Sequence, residues 1–158
     1  MSWRGSTTVK DRIFACLPYL LPLVDGIIYG SFLFSQFPLV ALVFSPLLPL
    51  VAITRGIPFI GLIIFFALFL LVVRNDKISH FIRFNTMQAI LVDIVIFLFS
   101  IILQILQPVP GTDFAIQTLA NALFLGVVAA VCYSVVQSLL GRYAEIPAIS
   151  EAVHMQVR

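Results

Sequence analysis

The residues of this chain that could do chemistry are a few polar side chains inside long apolar segments. In the apolar run of residues 84–106, Thr86, Asp93 and Ser100 recur every seven residues, and Gln104 falls beside Ser100. At 100° per residue, these four side chains lie within about 20° of one line along a helix. Because polar groups are costly in hydrocarbon, such a stripe is expected to face something other than lipid.

A second carboxyl, Asp25, also lies inside an apolar run, and no lysine or arginine is expected deep in a span to pair with it or with Asp93. We call Asp25 and the four stripe residues the polar seam. Two interpretations of the polar seam are open. The side chains line a path or contact a partner subunit, or they only form hydrogen bonds that hold the helices together, worth less than about 2 kcal/mol each.

Catalytic chemistry is not indicated anywhere in the sequence. There is no glycine-rich phosphate loop, no HExxH motif and no nucleophile elbow. Cys16 and Cys132 both lie in apolar runs, and no CxxC motif or Cys/His cluster is present, so neither a metal site nor a disulfide is predicted. We therefore expect a protein that is not an enzyme and has no catalytic residue, cofactor or metal.

Composition places most of the chain in lipid. Of its 158 residues, 61% are hydrophobic and 10% are charged, and the mean hydropathy is +1.13. Soluble domains carry about 25% charged residues, and a domain of this size cannot bury so much apolar surface in its own core. The net charge of +2 is too small to indicate nucleic acid as a partner. The sequence predicts one integral membrane domain, residues 1–158.

Hydrophobic runs of membrane length predict an all-α, polytopic membrane helix bundle. Residues 57–73, which are apolar on every face, are expected to form the cleanest span. Prolines interrupt the apolar residues 13–34 and 37–53, so we expect four crossings plus one broken, re-entrant or interfacial N-terminal segment. The predicted segments are a polar N-terminus (1–12), a proline-kinked apolar region (13–53), spans at 57–73, 84–106 and 114–140, and a tail (141–158).

Charge asymmetry predicts the orientation, because basic residues favour the cytoplasmic side of short loops. Two basic clusters flank the apolar runs, whereas the turn at residues 107–113 has no basic residue. Both termini and the segment at residues 74–83, which we call the hinge, are therefore expected inside and the turn outside. Four crossings then place Arg55 outside, and either 13–34 or 37–53 is not a full crossing. The first of the two basic clusters, in the N-terminal segment, contains Arg4, Lys10 and Arg12. The second, in the hinge, contains Arg74, Lys77 and Arg83.

The last span carries a second pattern, in which small residues recur every four positions. Small side chains at this spacing allow two helices to approach closely. We therefore predict a helix-packing face that serves either a neighbouring helix or another copy of the chain. Its members are Ala122, Gly126, Ala130, Ser134 and Ser138.

Several sequence words resemble the twenty-kilodalton subunit family of the translocon at the inner envelope of chloroplasts (Tic), which has cyanobacterial homologues. The resemblance runs from about Arg12 to Arg158, and its most specific word contains Arg83, Phe84, Asn85 and Gln88. The matching words are Ala15-Cys16-Leu17-Pro18-Tyr19-Leu20 with Pro22, Phe81-Ile82-Arg83-Phe84-Asn85-Thr86-Met87-Gln88-Ala89, Tyr143-Ala144-Glu145-Ile146-Pro147 and Ser150-Glu151-Ala152.

The resemblance implies a four-helix inner-membrane protein that forms part of a channel importing preproteins, together with other subunits, and it implies no catalytic residue. Plant members of that family tend to carry His where this chain has Asn85. The short N-terminus is expected of a cyanobacterial or plastid-encoded member, in the cyanobacterial plasma membrane or the plastid inner envelope. Expected partners are membrane lipid, other translocon subunits or copies of the chain, and a preprotein.

Two hypotheses for function follow from these observations. The first is a subunit of a protein-translocation complex that forms a channel as an oligomer or with partners, because four spans are too few to enclose a wide pore. The second is a non-conducting membrane scaffold or assembly factor, in which the polar seam only holds the bundle together.

Overall fold

The computed structural model describes residues 7–157, and all regular secondary structure in that part of the chain is helical. The all-α prediction is confirmed, and four of the helices have the length and apolar composition of a membrane span. Arg4 lies outside the described residues. The helices are α1 (Val9–Gln36), α2 (Pro38–Gly56), α3 (Ile60–Val73), α4 (His80–Leu106), α5 (Asp113–Leu139) and α6 (Ile149–Gln156); the four long ones are α1, α2, α4 and α5.

Helix α1 remains continuous despite its prolines. Its first turn is closed by a capping box, in which Thr8 accepts from the Asp11 backbone N–H and the Asp11 side chain accepts from that of Thr8. Pro18 lies in the 3₁₀ turn Leu17–Tyr19, whose tighter winding accommodates the missing proline N–H without ending the helix. Both early apolar segments therefore reach spanning length, and the interruption lies further along the chain.

The interruption lies between α2 and α3. Ile57 is extended, with φ −110° and ψ 115°, as expected for a residue before proline. Phe59 is left-handed at φ 61°, and α3 begins directly after it. Helix α3 has only 14 residues, about 21 Å of helix, whereas a full span needs about 20 residues. The segment expected to be the cleanest span is thus a shortened helix.

Helices α2 and α3 together lead the chain from one end of the bundle to the other. The ring of Phe44 in α2 lies 5.7 Å from that of Phe34 near the end of α1. At the far end of α3, the carbonyl oxygen of Val73 accepts from Arg83 Nε at the start of α4, at 2.9 Å. Helices α2 and α3 therefore follow one another in the same direction along the bundle.

Most basic residues of the described chain, with the exception of Arg55, gather at one end of the bundle. Lys10 of α1 and Lys77 of the hinge line the same cavity, and the Arg12 side chain lies against Gly141 just after α5. Helix α4 begins here, where Ser79 Oγ accepts from the Ile82 N–H. We call this the hinge end of the bundle.

Two hydrophobic clusters hold the bundle together. The first joins α1, α4 and α5, and the second joins α3, α4 and the tail helix α6, so the tail packs back onto α4. In contrast, no part of the apolar window of α2 is buried, so α2 lies at the periphery. The first cluster contains Tyr19, Ala89, Val92, Ile96, Leu123, Val127 and Val131, and the second contains Val73, Phe84, Met87, Ile90, Val153 and Val157.

The close approach of α1 to α5 generates a first prediction. A Cβ atom at Gly30 would lie 2.8 Å from Phe34 Cζ and 2.9 Å from Phe124 Cε2. Gly30→Ala should therefore lower the free energy of unfolding by about 1–3 kcal/mol through overpacking. The matched control is Gly126→Ala, because a Cβ there meets no atom within 4 Å. Denaturant titration of the detergent-solubilised protein measures both, and equal losses would contradict the packing described here.

Candidate functional site

A network of buried polar side chains connects α1, α4 and α5 near the hinge end. Tyr19 Oη donates to Asn85 Oδ1 at 2.8 Å, and Gln88 Nε2 donates to Tyr19 Oη at 2.9 Å. From α5, Ser138 Oγ donates to Asn85 Oδ1 at 3.1 Å, and Ser134 Oγ lies 3.5 Å from Gln88 Nε2. All five side chains are at most 1% exposed. Their polar atoms are satisfied by one another, as a water-free interior requires.

The same network fastens the tail. Gln88 Nε2 donates to the carbonyl oxygen of Ala144 at 2.6 Å, and Gln88 Oε1 accepts from the Ile146 N–H at 3.4 Å. Beside it, the ring of Tyr143 meets Phe84 edge-on at 5.1 Å, and its hydroxyl lies 2.9 Å from His80 Nδ1. One glutamine side chain therefore holds both a membrane helix and the segment that follows α5.

The four residues of the most specific sequence word are all buried at this junction. Asn85 Nδ2 also donates to the Phe81 carbonyl at 2.9 Å. Arg83 ties the end of α3 to the start of α4, and it forms an ion pair with Asp76 at 3.3 Å. The positions of Arg83, Phe84, Asn85 and Gln88 indicate that they join α4 to α1, α3, α5 and the tail.

The polar seam lies elsewhere, along three cavities that follow one another down one side of α4. Thr86 lines the first, of about 730 Å³ at the hinge end. Asp93 and Ser100 line the second, of about 480 Å³. Ser100 and Gln104 line the third, of about 340 Å³. Helix α1 forms the facing wall throughout, so the structure brings all five seam residues to one groove, which we call the α4 groove.

The middle of the α4 groove contains three ionisable side chains. Asp93 is the central residue of the 27-residue α4, and Asp25 of α1 lines the same cavity. Asp93 Oδ1 is buried and has no hydrogen-bond partner among residues 7–157. Arg55, at the end of α2, lines the same cavity, as does Tyr29. A cation therefore lies within the same cavity as the two carboxyls.

Arg55 is the site residue that the sequence did not reveal. The prediction of four crossings places Arg55 on the outer side of the membrane, and in the structure the helix is interrupted directly after it, at Ile57 and Phe59. Arg55, at the end of α2, lies in the cavity that Asp25 and Asp93 line, while the preceding Thr54 lines the cavity at the hinge end. The sequence did contain a signal for this position, because Arg55 stands three residues before the helix-breaking Pro58 and between two apolar runs.

The seam residues differ in what they offer to a partner molecule. Thr86 Oγ1 donates to the Ile82 carbonyl at 2.8 Å, and Ser100 Oγ donates to the Phe97 carbonyl at 2.6 Å, so both hydroxyl protons are engaged within α4. Gln104 is exposed. The side chains of the groove that can offer hydrogen bonds to a partner molecule are therefore mainly those of Asp25, Asp93 and Gln104.

The predicted small-residue face of α5 is divided by the structure. Ser134 and Ser138 are buried in the polar network, and Ala130 is half-buried. Ala122 and Gly126 are exposed, and the space beside Gly126 is open. A contact of this outer half with another copy of the chain stays a prediction. Within residues 7–157, no group of three or more metal-ligating side chains comes together.

The polar network generates a second prediction. Gln88→Leu should lower the free energy of unfolding by about 1–3 kcal/mol, because the Ala144 oxygen and the Ile146 nitrogen lose their buried partner. The freed tail should also be cut faster by trypsin after Arg142. The matched control, Thr86→Val, removes a hydrogen bond made within α4 and should cost about 0.6 kcal/mol or less. Unchanged trypsin sensitivity in Gln88→Leu would contradict the role of this side chain in holding the tail.

Similarity to known proteins agrees with the resemblance of the sequence words. A family model described as "Chloroplast import apparatus Tic20-like" matches residues 8–153. A Tic20 family protein of Synechocystis sp. is 49% identical over 159 positions, covering 100% of this chain and 99% of the relative. Protein TIC 20-II, chloroplastic, of Arabidopsis thaliana is 33% identical, covering 96% and 74%. The Tic20 family protein Ycf60 of Porphyra purpurea is 32% identical, covering 97% and 78%. This chain belongs to the Tic20 family of membrane proteins.

Proposed function

We propose that this chain is a membrane subunit of a protein-translocation complex, and that the α4 groove is the surface along which it contacts a translocating preprotein. The observation that carries this proposal is the position of the polar seam. Its residues follow one groove from the hinge end, past the centre of α4, to the far end. The description of the family names the chloroplast import apparatus, and the Arabidopsis relative is named as chloroplastic.

The chemistry at the middle of the groove suits a polypeptide in transit. A chain inside a bilayer needs partners for its backbone N–H and C=O groups, because hydrocarbon supplies none. The carboxyls of Asp25 and Asp93 accept hydrogen bonds and the Arg55 guanidinium donates them. Polar groups of both kinds at mid-depth would replace water for many different sequences without selecting one.

The pair α2–α3 covers the first two cavities of the groove, and of the two helices α2 is the loosely attached one. Helix α2 has no buried portion, and the connection at Pro58 and Phe59 interrupts the helical hydrogen bonds. Moving α2 away from α1 would widen the groove without disturbing the polar network or the packing of α3 on α4. A wide conduit requires several copies or partner subunits, and the open face around Gly126 offers a position for such a contact.

The orientation follows from the charge distribution. The hinge end, which carries Lys10, Arg12 and the hinge, is assigned to the cytoplasmic or stromal side with both termini. The membrane is the cyanobacterial plasma membrane or the plastid inner envelope. Other translocon subunits and a preprotein are the proposed partners. The chain supplies no catalytic residue and no cofactor in this proposal.

A scaffold function is the second candidate, and a specific observation favours it. The hydroxyls of Thr86 and Ser100 bond within α4, and the strongest polar contacts of the structure join helices to one another and to the tail. A non-conducting subunit that holds partners through such a rigid bundle would need no open groove. The two functions differ in whether the groove residues meet water and preprotein.

Cysteine scanning separates the two functions. In a background with Cys16 and Cys132 replaced by alanine, Ser100→Cys and Gln104→Cys should react with a water-soluble maleimide and crosslink to an arrested preprotein.

Control positions come from the opposite side of α4. Leu98→Cys and Ile102→Cys are on exposed lipid-facing positions, so neither should react or crosslink. Equal behaviour of the groove and control positions would reject the groove as the preprotein contact.

The central carboxyl allows a further test. With the groove as a lining, Asp93→Leu should leave the size of the native complex unchanged and alter its ion conductance in planar bilayers. Loss of the complex would instead favour the scaffold function, because Asp93 would then stabilise assembly. The control is Val95→Leu, a position exposed on another side of α4. If both complex and conductance are unchanged in Asp93→Leu, Asp93 has neither role.

A further inference from the structure

The cavity at the hinge end has a composition different from the rest of the α4 groove. It is the largest of the three, at about 730 Å³, within the range of ligand pockets, roughly 300–1,000 Å³. Its inner walls are mainly apolar side chains from α1, α2 and α3, and the one hydroxyl that α2 adds, that of Thr54, donates to the Val51 carbonyl. Thr86 at its base adds no free donor, because its hydroxyl bonds within α4. The apolar lining includes Phe14, Leu17, Leu21, Ile64, Leu68 and Val72.

Positive charge surrounds the mouth of this cavity. Lys10 and Lys77, the only two lysines of the chain, both line it and are both exposed. The first turns of α1 and α4 also meet there, and helix N-termini carry partial positive charge. Ser79, the N-cap of α4, lines the mouth and offers a hydroxyl.

One acidic side chain, Asp11, lines the cavity too, but its carboxylate is already engaged. Asp11 Oδ2 accepts from the Thr8 N–H at 3.1 Å as part of the capping box. Its charge lies in the first turn of α1, where it partly offsets the helix dipole. The two lysines and the start of α4 therefore leave a net positive mouth above an apolar cavity.

We infer that this cavity is a binding site for an anionic phospholipid, with one acyl chain between α1 and α3 and the phosphate between Lys10 and Lys77. The charge of the mouth selects the occupant. Basic pockets between transmembrane helices on the cytoplasmic side bind anionic lipid headgroups, whereas an apolar peptide segment would gain nothing from the lysines. This inference does not depend on the proposed translocation function. A bound lipid would fill the space between α1 and α3 that protein leaves open.

The test measures lipid selectivity of the purified full-length chain. Native mass spectrometry with phosphatidylglycerol and phosphatidylcholine of identical acyl chains should show preferential binding of phosphatidylglycerol. Lys10→Gln/Lys77→Gln should weaken phosphatidylglycerol binding roughly tenfold or more and abolish the preference. Arg74→Gln/Arg142→Gln removes the same charge from exposed positions outside the cavity, so its preference should persist.

A second variant tests the apolar part of the site. Leu68→Trp should fill the cavity and reduce the binding of both lipids while the lysines remain. Equal binding of the two lipids to the unmodified chain would overturn the inference, as would an equal loss of preference in the lysine and arginine variants. A Leu68→Cys variant that crosslinks to a second copy or to a preprotein, in place of lipid, would also overturn it.

Discussion

The structure depends on one constraint, which is that polar groups buried between membrane helices must find their partners within the protein. Gln88 meets this constraint for four segments at once, because it bonds to Tyr19, approaches Ser134 and holds the backbone of Ala144 and Ile146. These bonds determine the rotation of α1 and α5 about α4. They also determine where the tail crosses the hinge end, so the second hydrophobic cluster forms under the returning helix α6.

These bonds hold α1, α4 and α5 in place, whereas α2 and α3 are attached less firmly. Helix α2 contributes no buried surface to its apolar window, and α3 is attached chiefly through its last turns, where Val73 meets Arg83. The left-handed Phe59 separates the two helices. A rigid three-helix unit with a broken, peripheral pair is an arrangement in which a groove can change width while the fold persists. A bundle in which every helix was held rigidly could not change the width of a groove in this way.

The charges of the chain are divided between the hinge end and the middle of the groove, and the two groups serve different physical needs. At the hinge end, lysines and helix N-termini meet an aqueous or headgroup environment where their charge is solvated. In the middle, Asp25 and Asp93 line a cavity between the helices, and Arg55 lines the same cavity from the end of α2. With a lipid in the cavity at the hinge end, the proposed preprotein contact is confined to the middle and the far end of the same groove.

The sequence by itself determined the membrane class, the helical fold, the polar seam along α4 and the family, because hydropathy, helical periodicity and sequence words are local properties. It also predicted that the basic clusters share one end. Only the tertiary structure decided that α3 is short, since this depends on the backbone at Ile57 and Phe59. It likewise decided that Arg55 lies beside the two carboxyls and that Tyr19 reaches Asn85 across 66 residues. Contacts between distant segments are set by how helices rotate and pack against one another, and no local pattern encodes that.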